Sequence, residues 1–307
     1  MIRNLLSTLS SDDTQNPLKG MILMVVAMLI IPTLDVFAKL LTDQISAGQI
    51  AWFRFVLQTL LITPFILYFR LYHIPKGTVI LQAMRGIMLA GATVLFFAAL
   101  IKLSIAQAIA IFFVEPMILT ILSAVFLGEV IRIRRILAII AGFIGALIII
   151  RPTFLAVGIT ALYPLGAALC FAIYVIITRQ LKNVSPLQMQ WMVGISATLF
   201  MSLAVMIGHH TGWSMLIPGT PEGIAVLWVG CFGVIATIGH LILVVAVKHA
   251  PASLLAPFQY IEIISATIFG YWIFGDVLDQ PTIIGVSIII ASGVYMFHRE
   301  ALTKNND

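Results

Sequence analysis

Apolar runs of about twenty residues recur from one end of the chain to the other, separated only by short breaks such as DQISAG, YHIPKG and GDVLDQP. An α-helix needs about that length to cross the roughly 30 Å hydrocarbon core of a bilayer. In lipid, unsatisfied backbone groups are too costly for anything but helices or closed barrels. Barrel strands alternate apolar and polar positions over about ten residues, whereas these runs are continuous. The sequence therefore predicts an all-α integral membrane protein. Composition agrees, because 61% of the 307 residues are hydrophobic and 9% are charged, against about a quarter charged in soluble domains.

The expected spans are 18–41, 47–69, 79–101, 104–127, 133–150, 159–181, 187–208, 222–246, 252–274 and 281–298. The stretch 79–127 is too long for one crossing and divides at Lys102. Ten spans put both ends of the chain on one side. Most Lys and Arg, including Arg132, Arg134 and Arg135, then fall on that side, and the other receives Lys39, Arg54, Lys102 and Arg151. Positive charge stays cytoplasmic, so the tails 1–17 and 299–307 are read as cytoplasmic. The same bias accounts for the net charge of +5 without a nucleic-acid partner.

The first twenty residues lack the apolar core and cleavage site of a signal peptide. Cys170 and Cys231 lie inside apolar runs, which argues against a disulfide framework or a metal site. No phosphate-binding loop, HExxH or GxSxG is present, so no cofactor and no enzyme chemistry is expected.

The chain is self-similar. Aligning 115–130 with 262–277 sets Glu115 over Glu262, Thr120 over Thr267 and Gly128 over Gly275. Aligning 36–52 with 175–191 sets Ser46 over Ser185, Gln49 over Gln188 and Trp52 over Trp191. Both stretches recur at the same place in a five-span half, so the halves are 18–152 and 153–298. Five is odd, so the second half enters from the opposite face. The expected architecture is two inverted five-helix repeats with a site near the midplane between them.

The stretch from Met84 to Pro152 closely resembles the EamA group of drug/metabolite transporters. It carries Arg85-Gly86, the Phe-Phe-Ala-Ala-Leu run from Phe96, Gly128-Glu129, Gly142, Gly145 and Arg151-Pro152. The second half looks like a diverged copy, with Asp276 where the first has Glu129 and Pro281 where Arg134 would be. The resemblance covers roughly 18–298. It implies ten transmembrane helices, a central cavity, and transport of a small polar metabolite such as an amino acid, S-adenosylmethionine or riboflavin.

Ionisable side chains inside spans are costly and usually functional or paired. Glu115 and Glu262 hold equivalent positions and would face one cavity, binding an amine-bearing substrate, a coupling proton, or both in exchange; the alternative is a packing hydrogen bond. Pro116 and Pro257 would loosen their helices and serve gating. Asp35 and Lys39 share a helix face and form either an internal ion pair or part of the cavity, with Pro32 loosening the helix. Arg54 would bind an anionic substrate group or pair with Asp35. Arg85 snorkels to headgroups or forms a cytoplasmic gate. His240 reads as an interior histidine or a proton-linked group. Trp52, Phe113 and Tyr260 would stack on a planar substrate or pack the core, with Gln259 beside them. Gly142 and Gly145 read as close helix contacts.

These features predict a secondary transporter of the bacterial inner membrane, working by alternating access as a monomer or homodimer. An intramembrane enzyme on a lipid-linked substrate is the alternative, with the two glutamates as acid and base.

Overall fold

The computed structural model describes residues 16–74, 77–127, 133–181, 184–249, 255 and 258–304. Its regular elements are helices: α1 (Pro17–Leu41), α2 (Ala47–Tyr68), α3 (Val79–Leu100), α4 (Ile105–Phe112), α5 (Glu115–Leu127), α6 (Ile133–Val157), α7 (Tyr163–Gln180), α8 (Pro186–Thr211), α9 (Ile224–His249), α10 (Ile261–Phe269) and α11 (Gln280–Lys304). A 3₁₀ turn, Gly158–Leu162, joins α6 to α7, and a π turn, Gly270–Phe274, extends α10. Among the described residues, seven runs are long and apolar enough to cross a membrane. One of them, Ile136–Thr178, is 43 residues long and takes in most of α6 and α7. The shorter runs Ile261–Phe274 and Gln280–Ser292 follow.

Local sequence sets the helix starts. Pro17 opens α1 behind Asn16, whose side chain accepts from the Lys19 amide at 3.0 Å. The Ser46 hydroxyl accepts from the Gln49 amide at the head of α2. Ser185 does the same for Gln188 at the head of α8, each bond being 3.2 Å. These caps satisfy amides that the first turn leaves without partners. Ser104 and Gln107 form a reciprocal capping box that restarts the chain as α4 just after Lys102.

Two helix ends run furthest past the sequence expectation: α11 reaches Lys304 instead of 298, and α6 also overruns. The fifth span was expected to stop at Arg151-Pro152, but α6 continues to Val157. A proline in a helix forfeits one ladder bond and strains the preceding turn. The packed helix absorbs this, and the Thr153 hydroxyl donates to the Ile149 carbonyl at 2.7 Å. The helix ends before Gly158, where φ is +66° and a side chain would be strained.

Packing is interleaved. α1 lies on α9 and α3 on α7; α2 lies on α8; α3 also meets α8 and α2 meets α9; α10 meets α1 and α5 meets α7; α6 lies on α11. Trp52 of α2 donates from Nε1 to Ser202 Oγ of α8 at 2.8 Å. Trp191 of α8 returns the same bond to Thr63 Oγ1 of α2 at 2.9 Å. Gly145 of α6 faces Gly285 of α11 so closely that a Cβ on Gly145 would stand 2.8 Å from the Gly285 carbonyl oxygen. Small residues at such a crossing let the backbones approach. Large apolar side chains such as Ile80, Leu155 and Trp272 point outward and are exposed, an arrangement that lipid solvates and water does not.

Candidate functional site

Arg54 projects from α2 into the bundle and is 5% exposed. Its Nη1 donates to Thr93 Oγ1 of α3 at 2.6 Å, and the Thr93 hydroxyl donates onward to the Leu89 carbonyl at 2.8 Å. Its Nη2 meets His240 Nε2 of α9 at 2.5 Å. A guanidinium only donates, so His240 Nε2 is the acceptor and the ring is neutral with its proton on Nδ1. The buried Nε of Arg54 has no partner among the described residues. No carboxylate among those residues lies within hydrogen-bond reach of the guanidinium.

One acid lies within electrostatic reach of this cation, and a second lies near the first. Asp35 of α1 is 4% exposed and lies within electrostatic reach of both Glu262 and Arg54. Pro32 explains how α1 meets α10 here. It removes the amide that would bond the Met28 carbonyl, and Ser265 of α10 donates its hydroxyl to that carbonyl at 2.9 Å. The same hydroxyl stands 3.0 Å from the carbonyl of Glu262. Glu262 is half-buried in the first turn of α10.

Glu115 is 8% exposed and opens α5, where a negative charge suits the helix dipole. The fourth span is broken just ahead of it, at Phe113–Val114. Pro116 is the second residue of α5, where a missing amide costs nothing, so it starts a helix rather than kinking one. Tyr260 lies within electrostatic reach of Glu115. Its ring meets Phe113 edge-on at 5.3 Å, and its buried hydroxyl has no partner among the described residues. Gln259 is half-buried and joins none of these contacts. Pro257 lies outside the described residues.

Two sequence readings are corrected, and the packing alternative for Trp52 fits its contact. Lys39 pairs with Asp276 at 2.8 Å, not with Asp35, and its ammonium lies 4.6 Å from the centre of the Phe274 ring. Its side chain runs toward the end of α1 and reaches the turn that follows Gly275. Arg85 does not snorkel. It is 1% exposed, donating to Thr178 Oγ1 (2.8 Å), Gln82 Oε1 (3.0 Å) and the Tyr174 hydroxyl (3.1 Å), because α7 packs directly over it. Trp52 spends its indole N–H on Ser202 and serves packing between α2 and α8.

Thr93, Gln82, Thr178 and Asp276 were absent from the sequence candidates. Hydroxyls and amides carry no distinctive signal in an apolar sequence, and Asp276 lies 237 positions from Lys39. Phe96, Phe112, Phe171 and Tyr174 form a chain of rings with centres 5.4–5.7 Å apart, ending under Arg85. An apolar pocket of about 470 Å³ between α3, α7 and α8, lined by Gly91, Tyr163, Phe200 and Trp213 among others, holds none of the charged residues above.

Membrane-length helices that enclose an arginine and three carboxylates define a multi-pass membrane protein with an ionisable interior. Such groups mark transport pathways, since burying them in hydrocarbon is otherwise costly. The chain belongs to the EamA-like transporter family, whose sequence profile matches residues 18–151 and again 158–297. It is 25% identical to an S-adenosylmethionine uptake transporter of Rickettsia prowazekii, over 87% of this chain and 88% of that one. It is also 25% identical to a riboflavin transporter of Brucella anthropi, over 73% and 78%. A crystal structure 14% identical in sequence superposes with a TM-score of 0.61 over 90% of this chain and 95% of that one, and shares the fold. The chain is a transporter of that family.

Proposed function

We propose that this chain is a secondary transporter of the bacterial inner membrane. It carries a small zwitterionic metabolite, an amino acid or a relative such as S-adenosylmethionine, by alternating access. It crosses the membrane ten times in two inverted halves, with both termini cytoplasmic. The 43-residue run holds two crossings about the 3₁₀ turn, and the two shorter apolar runs are the ninth and tenth. The double profile match supports two halves. So do the reciprocal tryptophan bonds, since Trp191 follows Trp52 by the same interval as Ser202 follows Thr63.

The observation that carries the substrate class is the separation of buried charges. Arg54 is held by neutral partners, while Asp35 stands nearby without a hydrogen bond to it and Glu262 lies near Asp35. A zwitterion supplies what the site lacks. Its carboxylate reaches the guanidinium and its cationic group reaches the acids, replacing water that both gave up on entry. Phe113 and Tyr260 offer ring edges to a planar portion. Lys39–Asp276 closes the outer end of the path in this conformation, and the buried Arg85 cluster closes the inner end.

The test is counterflow in proteoliposomes with labelled S-adenosylmethionine, amino acids and riboflavin. Selective flux of a zwitterion that collapses in Arg54→Gln supports the reading. Flux confined to uncharged riboflavin, or a chemically altered product, overturns it; the second result favours an intramembrane enzyme.

A further inference from the structure

We propose that His240 is the coupling-proton site, and that it takes its proton when the substrate's anionic group inserts between it and Arg54. The proposal rests on the zwitterion reading of the site given above.

In the structure Arg54 Nη2 and His240 Nε2 are hydrogen-bonded at 2.5 Å. This bond exists only while Nε2 is bare, because a guanidinium has no lone pair to offer. A proton arriving at Nε2 turns the contact into two donors and two positive charges face to face. The contact then opens, and a carboxylate can enter between the guanidinium and the imidazole. That carboxylate accepts from Arg54 on one side and from the protonated imidazole on the other, as charge-assisted hydrogen bonds. Proton and anion therefore bind together, each raising the other's affinity by the same factor. The proton comes from water on the loading side, rests on Nε2, and leaves to water on the far side once the carboxylate departs and Arg54 reclaims the lone pair. No bond other than N–H forms or breaks.

The placement gives this contact a lever on conformation. Arg54 sits on α2, and its two ends are held by α3 and α9. His240 follows Thr93 by 147 positions, the interval that separates Glu262 from Glu115. One guanidinium is thus held by equivalent positions of both proposed halves, one of which titrates and one of which does not. Protonation releases the α9 side alone.

The groups around His240 settle the direction of the effect. From α2, Arg54 touches it. From α1, Ile30 and Ile31 pack at neighbouring Gly239, and Asp35 acts on Arg54 rather than on the imidazole. α8 has no titratable side chain before His209 near its end. Asp35 and Glu262 work in the opposite sense, since a bound amine favours their charged forms and expels protons. Proton uptake on binding therefore belongs to His240.

Two measurements test the proposal. In histidine-¹⁵N-labelled protein at neutral pH, the signal lost in His240→Gln is expected to be a neutral ring bare at Nε2; a ring protonated at Nε2 overturns the proposal without any substrate. In the whole transporter in proteoliposomes, S-adenosylmethionine uptake is expected to rise as pH falls on the loading side. The half-saturating concentration drops by up to about tenfold per pH unit, with proton influx reported by an internal pH dye. His240→Gln keeps an acceptor for Arg54 and is expected to lose proton influx and flatten or invert that slope. A mutant that keeps the wild-type slope and influx overturns the proposal, as does wild-type flux with no proton movement. In both cases the carrier reading stands. A wild type that moves no member of the panel fails the carrier reading instead.

Discussion

The two halves of the chain agree where they pack and differ where they carry charge. Ser46 and Ser185 cap α2 and α8 identically, and Trp52 and Trp191 exchange matching bonds across the same crossing. The positions that approach the buried charges do not match. At the intervals that align the halves, Asp35 answers to Tyr174, Arg54 to Val193, Thr93 to His240 and Phe113 to Tyr260, with only Glu115 and Glu262 alike. A bundle that rocks between two related states needs equal scaffolding in both halves. A site that recognises a single asymmetric molecule needs unequal lining. The proposed site accordingly draws on positions where the halves diverge.

Removing the least symmetric group is the strongest way to break this comparison. Arg54→Gln deletes the cation that has no counterpart in the other half. Removing one partner of a buried charge contact costs about 3 kcal/mol, so the apparent affinity for a zwitterion falls by roughly a hundredfold. Val193→Ala at the equivalent position changes affinity by no more than about twofold on the same scale. Equal losses in the two variants would show that charge asymmetry does not define the site. The measurement is concentration-dependent uptake in proteoliposomes.

The matched acids test the opposite limb. Glu115 and Glu262 occupy equivalent positions, but Glu262 shares its field with Asp35 while Glu115 faces Tyr260. Glu262→Gln is expected to weaken binding of an amine-bearing substrate by about tenfold, or about 1.4 kcal/mol. Glu115→Gln is expected to do so by a smaller factor. The reverse order, read from the same uptake curves, would move the amine subsite to the α5 side.

The scaffold was more legible than the lining, and the reason is physical. Long apolar runs announce themselves residue by residue, so the second span was expected at 47–69 and α2 is Ala47–Tyr68. The cap at Ser46 and the repeat at Ser185 are local patterns readable in four residues. The partners of the charged groups are not local. Lys39 meets a residue 237 positions on, and Arg54 one 186 positions on, so helix-face arithmetic offered Asp35 to Lys39 and was wrong. The repeat interval was the signal that could have helped. Extended from Glu115 and Glu262 to His240, it points to Thr93, and both side chains meet Arg54. Pro152 misled because a proline in sequence reads as an end, while a helix packed along its length keeps going past one.

The two proposed ends of the path give a weaker contrast. The proposed outer pair, Lys39 and Asp276, keeps side-chain exposures of 17% and 27%, whereas Arg85, at the proposed inner end, is buried. Partly exposed pairs contribute about 0.5–1 kcal/mol, so Lys39→Met shifts the balance between closed and open outer mouths by roughly two- to fivefold. A cysteine placed at Asp35 reports this as faster reaction with a membrane-impermeant maleimide from the Asp276 side. An unchanged rate would mean that the pair decorates the mouth without holding it.

The smallest effect bears most directly on the symmetry itself. Trp52→Phe and Trp191→Phe each delete one indole hydrogen bond and keep most of the ring. Interhelical hydrogen bonds in membranes average about 0.6 kcal/mol, so each variant should lower stability in detergent by about that amount. The bonds are made by different residue pairs, so the double variant should lose the sum. Equality between the two is the informative result. If α2 and α8 cross on a pseudo-two-fold axis, Trp52–Ser202 and Trp191–Thr63 are one interaction occurring twice, and their costs match although their depths in the membrane are mirrored. If one costs several times the other, the crossing is lopsided and the axis runs elsewhere. The site would then owe its asymmetry to the frame as well as to its lining.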